Sequence, residues 1–231
     1  HYRVALVGYT NAGKSSVLQA LSGDNLFIED RLFATLDSAT RQVDLGSGYE
    51  ALVTDTVGFI RKLPHHLVAS FRSTLEEARE ADLLVHVVDI SHPDWEEQKQ
   101  VVEEVLENLD LVAGPQILLF NKVDRITHDE EQVVRARVRA LDETPAVFVS
   151  ALQNGDLGPL VQVLKARIRT RLPRVRVDIP AGAGALLAAG YREGEGLEQC
   201  ENGSRIRLTA HLPESLLGRL RQEPQVSLAE L

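Results

Sequence analysis

The sequence predicts an α/β fold: a mostly parallel sheet with helices on both faces, followed by a small α+β module. Short apolar runs, such as residues 83–89 and 116–120, alternate with amphipathic helical patterns. This alternation is typical of parallel strands buried on both faces. Pro173 ends the alternation, so we expect a large domain at residues 1–172 and a small α+β domain at residues 173–231.

The beginning of the chain predicts a strand, a helix and a hairpin. Residues 3–7 are apolar, and a helical pattern begins at Lys14. Residues 41–46 and 50–55 are strand-like and flank Gly46-Ser47-Gly48, which is typical of a hairpin turn. The hairpin adds one antiparallel edge strand to the sheet.

The later elements follow from the same periodicities. Apolar residues at helical spacing predict helices at about residues 64–80, 94–110, 129–142 and 156–171. Continuous apolar runs predict strands at residues 83–89, 116–120 and 146–150. After Pro173 we expect a strand, a helix, two strands and a helical tail.

Composition restricts the function classes. The chain has 231 residues, of which 44% are hydrophobic and 26% charged, as in ordinary globular proteins. It has no apolar run of the ~18 residues that a membrane span needs. A single cysteine, Cys200, favours a reducing compartment, and we expect the cytoplasm. The net charge of −9 argues against a nucleic-acid-binding surface over the whole protein.

The stretch GYTNAGKSS, at residues 8–16, has the spacing of a phosphate-binding loop between a strand and a helix. Glycines let backbone N–H groups surround a polyphosphate, and the helix directs the positive end of its dipole at the anion. Lys14 is expected to reach the outer phosphates, and the Ser15 hydroxyl to bind Mg²⁺. The loop residues assigned to the nucleotide are Gly8, Asn11, Ala12, Gly13, Lys14, Ser15 and Ser16.

A second loop predicts guanine rather than adenine. Asn121-Lys122-Val123-Asp124 follows an apolar strand, at the edge of the sheet where ligands bind. The Asp124 carboxylate can accept two hydrogen bonds from the N1–H and 2-amino groups of guanine, which adenine lacks. Asn121 is expected to brace the loop, and the Lys122 stem to cover the base. The segment Ser150-Ala151-Leu152 supplies backbone N–H groups near the guanine oxygen.

A third motif, Asp55-Thr56-Val57-Gly58, completes the set. Asp55 ends a predicted strand and is suited to hold Mg²⁺ through a water molecule. The Gly58 N–H group can detect a γ-phosphate. The motifs occur in the order and spacing that predict a GTP-binding site with Mg²⁺.

These motifs, with the runs FATLDSATR and FIRKLPHHLVASFRSTLEEAREADLLVHVVD, strongly resemble the HflX family of P-loop GTPases over residues 3–172. The tail from Arg174 is similar to that family's small C-terminal domain. The resemblance implies a protein that binds the large ribosomal subunit and its RNA and splits or rescues stalled ribosomes. It also implies that this chain lacks the family's N-terminal domain and helical linker. We expect a monomer.

Within the resemblance, Thr35 matches the threonine that binds Mg²⁺ and the γ-phosphate, and Thr40 is a weaker alternative. Phe59 follows Gly58 where many GTPases have a glutamine that orients water. A phenyl ring cannot do so by hydrogen bonding, so slow intrinsic hydrolysis is expected. The residues assigned to catalysis are Lys14, Thr35, Gly58 and Asn11.

Two interpretations of Asn11 remain open. Its side chain can stabilise the loop, or its carbonyl oxygen can bind K⁺ beside the β- and γ-phosphates. A cation there would offset charge in the transition state, as an arginine finger does. GTPases that resemble this sequence, with Asn at this position and a hydrophobic residue after Gly58, often use K⁺.

A basic stretch at residues 165–176 is the candidate contact with ribosomal RNA, and a solvated helix face is the alternative. Its six cations occur without an acid and are Lys165, Arg167, Arg169, Arg171, Arg174 and Arg176.

Two other functions are compatible with these motifs. One is a ribosome-assembly or RNA-modification GTPase of the Obg/Era-like class, which has the same G-domain chemistry. The other is a nucleotide-dependent binding module without useful turnover, because of Phe59 and the missing N-terminal part.

Overall fold

The computed structural model describes residues 2–23, 39–59, 77–111, 114–141, 144–152 and 157–231. The predictions for Thr35 and for a helix over residues 64–76 lie outside these ranges. The chain forms two compact units, His1–Val43 with Ala51–Val161, and Asp44–Glu50 with Gln162–Leu231. The domain boundary at residues 172 and 173 stays a prediction.

The first part of the chain has six strands and four helices with both ends in the described ranges, and residues 77–79 are also helical. The strands are β1 (Tyr2–Gly8), β2 (Ala39–Gly46), β3 (Tyr49–Asp55), β4 (Leu83–Asp89), β5 (Gln116–Asn121) and β6 (Ala146–Phe148). The helices are α1 (Lys14–Ser22), α2 (Trp95–Asn108), α3 (His128–Leu141) and α4 (Gly158–Arg169). A 3₁₀ turn covers Val123–Arg125.

The six strands form one sheet in the order β2-β3-β1-β4-β5-β6. Strand β1 is parallel to β3 and β4, β4 is parallel to β5, and β5 is parallel to β6. Strands β2 and β3 are joined by the two-residue turn Ser47-Gly48, whose φ angles of 59° and 80° are those of a tight hairpin turn. The predicted mostly parallel sheet with one antiparallel edge strand is therefore confirmed.

The sheet is buried by helices, as its apolar strands require. Strand β4 is buried from Leu83 to Val88. Val102 and Leu106 of α2 pack with Val7 of β1 in one apolar cluster. A second cluster contains Phe120 of β5 and Val138 of α3. Burial of this kind contributes about 25 cal/mol per Å² of apolar surface, so it dominates the stability of the unit.

The C-terminal part is an antiparallel α+β arrangement. Its elements are β7 (Arg174–Pro180), α5 (Gly184–Glu193), β8 (Glu195–Asn202), β9 (Arg205–His211), α6 (Glu214–Arg221) and β10 (Ser227–Glu230). The sheet order is β10-β7-β9-β8, with antiparallel pairing throughout. This is the β-α-β-β-α-β pattern of ferredoxin-like folds.

One face of this second sheet carries the core of the unit. Val175, Val177 and Ile179 of β7 pack with Leu216 and Leu217 of α6. The prediction of a helical tail is correct for α6 and wrong beyond it, because β10 pairs with β7. The four residues of β10 are too few for a clear period-two pattern, so pairing with β7 decides their conformation.

In the part of the chain that the structure describes, no helix has the length and apolar character of a membrane span.

Candidate functional site

The motif loops all follow strands at one edge of the first sheet. Strands β1, β3, β4 and β5 run in parallel, and they end at Gly8, Asp55, Asp89 and Asn121. Parallel strands place their carboxyl ends together, and the loops beyond them form the ligand site in such sheets. The predicted phosphate, magnesium and base loops therefore lie side by side.

Gly13 ends the phosphate-binding loop, and its position explains why glycine is needed there. Its φ of 98° is left-handed, and a Cβ atom would lie 2.2 Å from Nδ2 of Asn121. A side chain would therefore clash with the residue that braces the base loop. Helix α1 begins at Lys14, so its free N–H groups and positive dipole end are next to the loop.

Lys14 is buried in the loop, with 6% of its surface exposed. Its Nζ atom lies 3.4 Å from the carbonyl oxygens of Gly8 and Tyr9. Burial lowers the pKa of the Lys14 ammonium, and the negative charge of Asp55 partly opposes this change. A phosphate at this position would supply the anion that a buried ammonium needs.

Ser15 and Asp55 form the candidate magnesium site. The Ser15 hydroxyl donates a hydrogen bond to Oδ2 of Asp55, at 2.5 Å. Asp55 is almost completely buried, with 2% exposure. A hydroxyl and a carboxylate are hard oxygen ligands, which Mg²⁺ prefers, and Mg²⁺ usually keeps several waters. These residues fit direct binding by Ser15 and water-mediated binding by Asp55.

Gly58 and Phe59 lie against the phosphate-binding loop through their backbones. The Phe59 N–H group donates a hydrogen bond to the Gly8 carbonyl at 3.0 Å. The Thr10 N–H group donates one to the Phe59 carbonyl at 2.8 Å. A Cβ atom on Gly58 would lie 2.7 Å from Cα of Thr10, so only glycine fits this approach.

The Phe59 ring is buried in the apolar cluster that contains Val102 and Leu106 of α2. The ring is therefore part of the core. This burial agrees with the expectation that Phe59 does not orient a water molecule.

The Asn121 side chain connects the phosphate-binding loop with the loop at residues 150–152. Its Nδ2 group donates to the carbonyl of Ala12 at 3.1 Å, and its Oδ1 accepts from the Ala151 N–H group at 3.1 Å. Asn121 has 2% exposure. One side chain therefore fixes the distance between the phosphate end and the base end of the site.

Asp124, the predicted guanine ligand, is oriented by a neighbour. The Ser150 hydroxyl donates to Oδ1 of Asp124 at 2.5 Å. This contact fixes one of the two carboxylate oxygens of Asp124. Leu152 has 62% exposure, so its side chain is an open apolar surface beside the loop.

Asp89 was not predicted as a site residue, yet the structure places it there. Its Oδ2 atom forms an ion pair with Nζ of Lys122 at 2.6 Å, and both side chains are nearly buried. Lys122 also donates to the carbonyl of Asn11 at 2.9 Å. The available signal was an aspartate at the end of a buried strand, which Asp89 shares with Asp55.

Asn11 has a left-handed backbone, with φ of 62°, and an exposed side chain. Asparagine tolerates this conformation better than most residues. The backbone therefore provides a physical reason for asparagine that does not involve an ion, and the exposed amide is still available as a ligand.

The structure also describes the contacts of Thr40 and of the basic stretch, whose proposed roles stay predictions. The Thr40 hydroxyl lies 2.8 Å from that of Thr54, a strand residue, which holds Thr40 in the β2–β3 hairpin. In the basic stretch, Arg169 pairs with Glu195 at 2.9 Å, and Arg174 pairs with Glu198 at 2.8 Å. These acids reduce the charge that the stretch offers to RNA.

Comparison with known proteins identifies relatives of the chain. A family model described as 50S ribosome-binding GTPase matches residues 3–122. The GTPase HflX of Magnetococcus marinus is 40% identical over 222 residues, which are 96% of this chain and 50% of the relative. The GTPase HflX of Alkalihalophilus pseudofirmus is 45% identical over 191 residues, 83% of this chain and 43% of the relative.

The chain therefore spans about half the length of the curated relatives it matches. Solved structures share the fold. A crystal structure of Era in complex with MgGDPNP and nucleotides 1506–1542 of 16S ribosomal RNA has a TM-score of 0.57 and 25% identity. That match covers 71% of this chain and 57% of the Era chain.

Proposed function

Because this chain belongs to the HflX family of GTPases, we propose that it binds GTP with Mg²⁺, hydrolyses it to GDP and phosphate, and acts on the large ribosomal subunit. One observation carries the nucleotide part of the proposal. Asn121 connects the phosphate-binding loop at Ala12 with the base loop at Ala151. A ligand with both a polyphosphate and a guanine base fits this arrangement.

Each loop then has a distinct task. Backbone N–H groups between Gly8 and Ser16 and the Lys14 ammonium bind the phosphates. Mg²⁺ is bound by Ser15 directly and by Asp55 through water. Asp124 accepts hydrogen bonds from guanine and the Ala151 N–H group donates to its oxygen. Thr35 is proposed to contact Mg²⁺ and the γ-phosphate when GTP is bound.

Turnover on the isolated chain is proposed to be slow. The Phe59 ring is buried, so this position offers no side-chain hydrogen bond to an attacking water. K⁺ bound by the exposed amide of Asn11 is the proposed additional source of transition-state stabilisation. Activation by the ribosome is the alternative source.

Nucleotide specificity is tested by competition between GDP, ADP and XDP, with hydrolysis measured as phosphate release. We expect GDP to compete at least about a hundredfold better than ADP, because adenine lacks the donors that Asp124 accepts. Equal competition by ADP contradicts the guanine assignment. GDP binding without any phosphate release from GTP, with or without ribosomes, would favour a binding module without turnover.

We further propose that the chain works in the cytoplasm and that ribosomal RNA is its partner, with splitting or rescue of stalled ribosomes as the output of the full-length protein. Charge supports an RNA contact in the second part of the chain. Residues 162–231 contain eleven Lys and Arg and eight Asp and Glu, a formal charge of +3, whereas the whole chain has −9. A basic region in an acidic protein directs RNA to one surface.

The proposed RNA-binding surface can be tested at the arginines that form no ion pair with a described acidic residue. Arg176 is exposed and Arg167 is half-buried. Changing both to glutamine is expected to weaken binding to purified large subunits and to reduce the slope of log affinity against log salt by up to about 2. Arg139→Gln, which removes one positive charge at an exposed position of α3, is the control and should leave the slope unchanged. An unchanged slope contradicts the assignment.

A ribosome-assembly or RNA-modification GTPase is the second candidate, favoured by the likeness to Era with bound 16S ribosomal RNA. Co-sedimentation with separated large and small subunits, in GDP and in a non-hydrolysable GTP analogue, distinguishes the two. Binding to the large subunit that depends on the GTP analogue supports the first candidate. Binding restricted to the small subunit supports the second.

A further inference from the structure

The sequence motifs do not predict the ion pair between Asp89 and Lys122. This pair lies in the middle of the candidate site. Oδ2 of Asp89 lies 2.6 Å from Nζ of Lys122, with only 12% of the Asp89 side chain and 11% of the Lys122 side chain exposed. The other carboxylate oxygen of Asp89 accepts hydrogen bonds from the N–H and hydroxyl groups of Ser91, at 3.0 and 2.6 Å. Asp89 is therefore held from both sides.

Lys122 passes this constraint to the phosphate-binding loop. The same Nζ atom donates to the carbonyl of Asn11 at 2.9 Å. Both ends of this contact have unusual backbones: φ is 66° at Lys122 and 62° at Asn11. Among the described residues, only Ser47 and Asp110 are further non-glycine residues with positive φ. One ammonium thus joins two left-handed residues.

A left-handed conformation is unfavourable for a residue with a Cβ atom and persists when its surroundings over-determine it. The Asn11 side chain is exposed, and within the described parts of the chain it forms no hydrogen bond that accounts for its backbone. The contact of its carbonyl with Lys122 does restrict that backbone. The Lys122 ammonium can keep this position only while Asp89 compensates its charge, because both groups have lost most of their hydration.

We propose that Asp89 is a positioning residue of the nucleotide site, which acts through Lys122 to hold Asn11 in its left-handed conformation and so presets the phosphate-binding loop. The proposal rests on the nucleotide binding proposed above. It assigns to Asp89 an effect on the phosphate end of the site, although Lys122 is in the base loop.

The test is a double-mutant cycle read out by the affinity for a fluorescent GDP analogue. Asp89→Asn keeps the shape and the hydrogen bonds from Ser91 but removes the charge. We expect it to weaken binding about tenfold, as loss of one partner of a desolvated pair does. Asp94→Asn, at an exposed position before α2 without a side-chain cap bond, is the matched control and should leave binding unchanged.

The decisive variant is Asn11→Gly, because glycine adopts positive φ without penalty. If Asp89 acts by holding Asn11, adding Asp89→Asn to Asn11→Gly costs less than about twofold in affinity. A tenfold loss in both backgrounds overturns the proposal, since Asp89 then acts only on the base loop. If Asp89 only stabilised the fold, Asp89→Asn would lower the thermal midpoint of the nucleotide-free chain. Its effect on GDP affinity would then be the same with asparagine or glycine at position 11.

Two safeguards keep the test decisive. If Asp89→Asn loses the circular dichroism spectrum of the wild type, Asp89→Ser is used in the same cycle. Failure of the wild-type chain to bind the GDP analogue would overturn the proposed function and the positioning role together. Binding by the wild type with no effect of Asp89→Asn overturns the positioning role alone.

Discussion

The Ser15 hydroxyl is hydrogen-bonded to Oδ2 of Asp55 at 2.5 Å, although 40 residues separate them in the chain. Strand β1 and its parallel neighbour β3 cause this proximity, because Leu6 is in register with Asp55. The contact brings together a neutral and an anionic oxygen ligand at the start of helix α1. This contact is the part of the candidate site that most directly predicts that GTP hydrolysis depends on Mg²⁺.

Ser15→Ala should greatly reduce the acceleration of GTP hydrolysis by Mg²⁺. The affinity for the nucleotide itself should be preserved. The phosphate contacts of the loop N–H groups and Lys14 do not need the hydroxyl. We expect Mg²⁺-dependent turnover to fall by at least about tenfold, with GDP affinity in EDTA unchanged. Phosphate release from GTP measures turnover, and titration calorimetry with GDP in EDTA measures affinity. Ser22→Ala, at the other end of α1, is the control, and equal losses in the two variants would contradict the assignment.

Asp124→Asn should shift base preference from guanine toward xanthine. The carboxylate accepts from guanine, whereas the amide also donates, which suits the extra oxygen of xanthine. Ser150 can still donate to the amide oxygen, so the loop should keep its conformation. Competition among GDP, XDP and ADP measures the change. Asp129→Asn, exposed on α3, is the charge-matched control, and retained GDP preference in Asp124→Asn would remove Asp124 from the role.

The motif residues and the first sheet could be predicted because each depends on local pattern. Apolar runs identify parallel strands, and glycine with lysine and serine identifies a phosphate loop. Because parallel strands place their carboxyl ends at one edge of a sheet, Asn121 and Asp55 lie at the same edge. The structure adds that the Asn121 amide bonds both Ala12 and Ala151.

The remaining features depend on tertiary contacts that no local pattern contains. The left-handed backbones at Asn11 and Lys122 need partners from distant segments, and Asp89 is such a partner. The burial of Phe59 depends on α2, more than thirty residues later in the sequence. Strand β10 is too short for a periodic signal and exists through its pairing with β7.

Nucleotide binding should become weaker as pH rises, because of Lys14. Burial lowers the pKa of Lys14 below its ordinary value of 10.5 in the ligand-free chain. Bound phosphate favours the ammonium and raises that pKa again. Between the two pKa values, binding must therefore take up a proton, and affinity falls as pH increases. Calorimetry in buffers of different ionisation enthalpy measures this uptake.

Lys14→Arg separates this effect from other titrations. A guanidinium stays protonated over the whole range, so the variant should show no growth in proton uptake at alkaline pH, even if its affinity is lower. Lys14→Ala should lose most of the affinity. Identical proton uptake by wild type and Lys14→Arg would assign the titration to another group.

Glu193 should stabilise the C-terminal unit at neutral pH. Burial alone would raise the pKa of Glu193, but hydrogen bonds from Arg219 and Arg192, at 2.6 and 3.0 Å, outweigh it and lower the pKa below its ordinary value of 4.5. The stabilisation is therefore present above about pH 4.5 and is lost as pH falls through the lowered pKa.

Glu193→Gln is expected to lower the free energy of unfolding by about 1–3 kcal/mol at neutral pH, because it leaves two arginines without their buried acid. The difference from wild type should shrink in acid. Urea denaturation at several pH values measures it, and Glu201→Gln, at an exposed position of β8, should have an effect within about 0.5 kcal/mol. A difference that stays constant with pH would show that packing, not charge, is responsible.

K⁺ should accelerate GTP hydrolysis through the side chain of Asn11. The structure changes how this is best tested, because Asn11 has φ of 62°. Alanine would remove the amide and also strain the backbone, whereas glycine removes the amide and tolerates positive φ. We expect wild-type turnover to rise at least about tenfold when K⁺ replaces Na⁺, and Asn11→Gly to show equal turnover in the two salts.

Ionic strength must be equal in both salts, because screening alone weakens phosphate binding. Asn108→Gly, at the last residue of α2, is a matched control that should keep the K⁺ effect. If wild type shows no cation effect but is activated by ribosomes, the missing catalytic group comes from the ribosome. If Asn11→Gly keeps the full K⁺ effect, the left-handed backbone is the sufficient reason for asparagine at this position, and the cation must bind elsewhere.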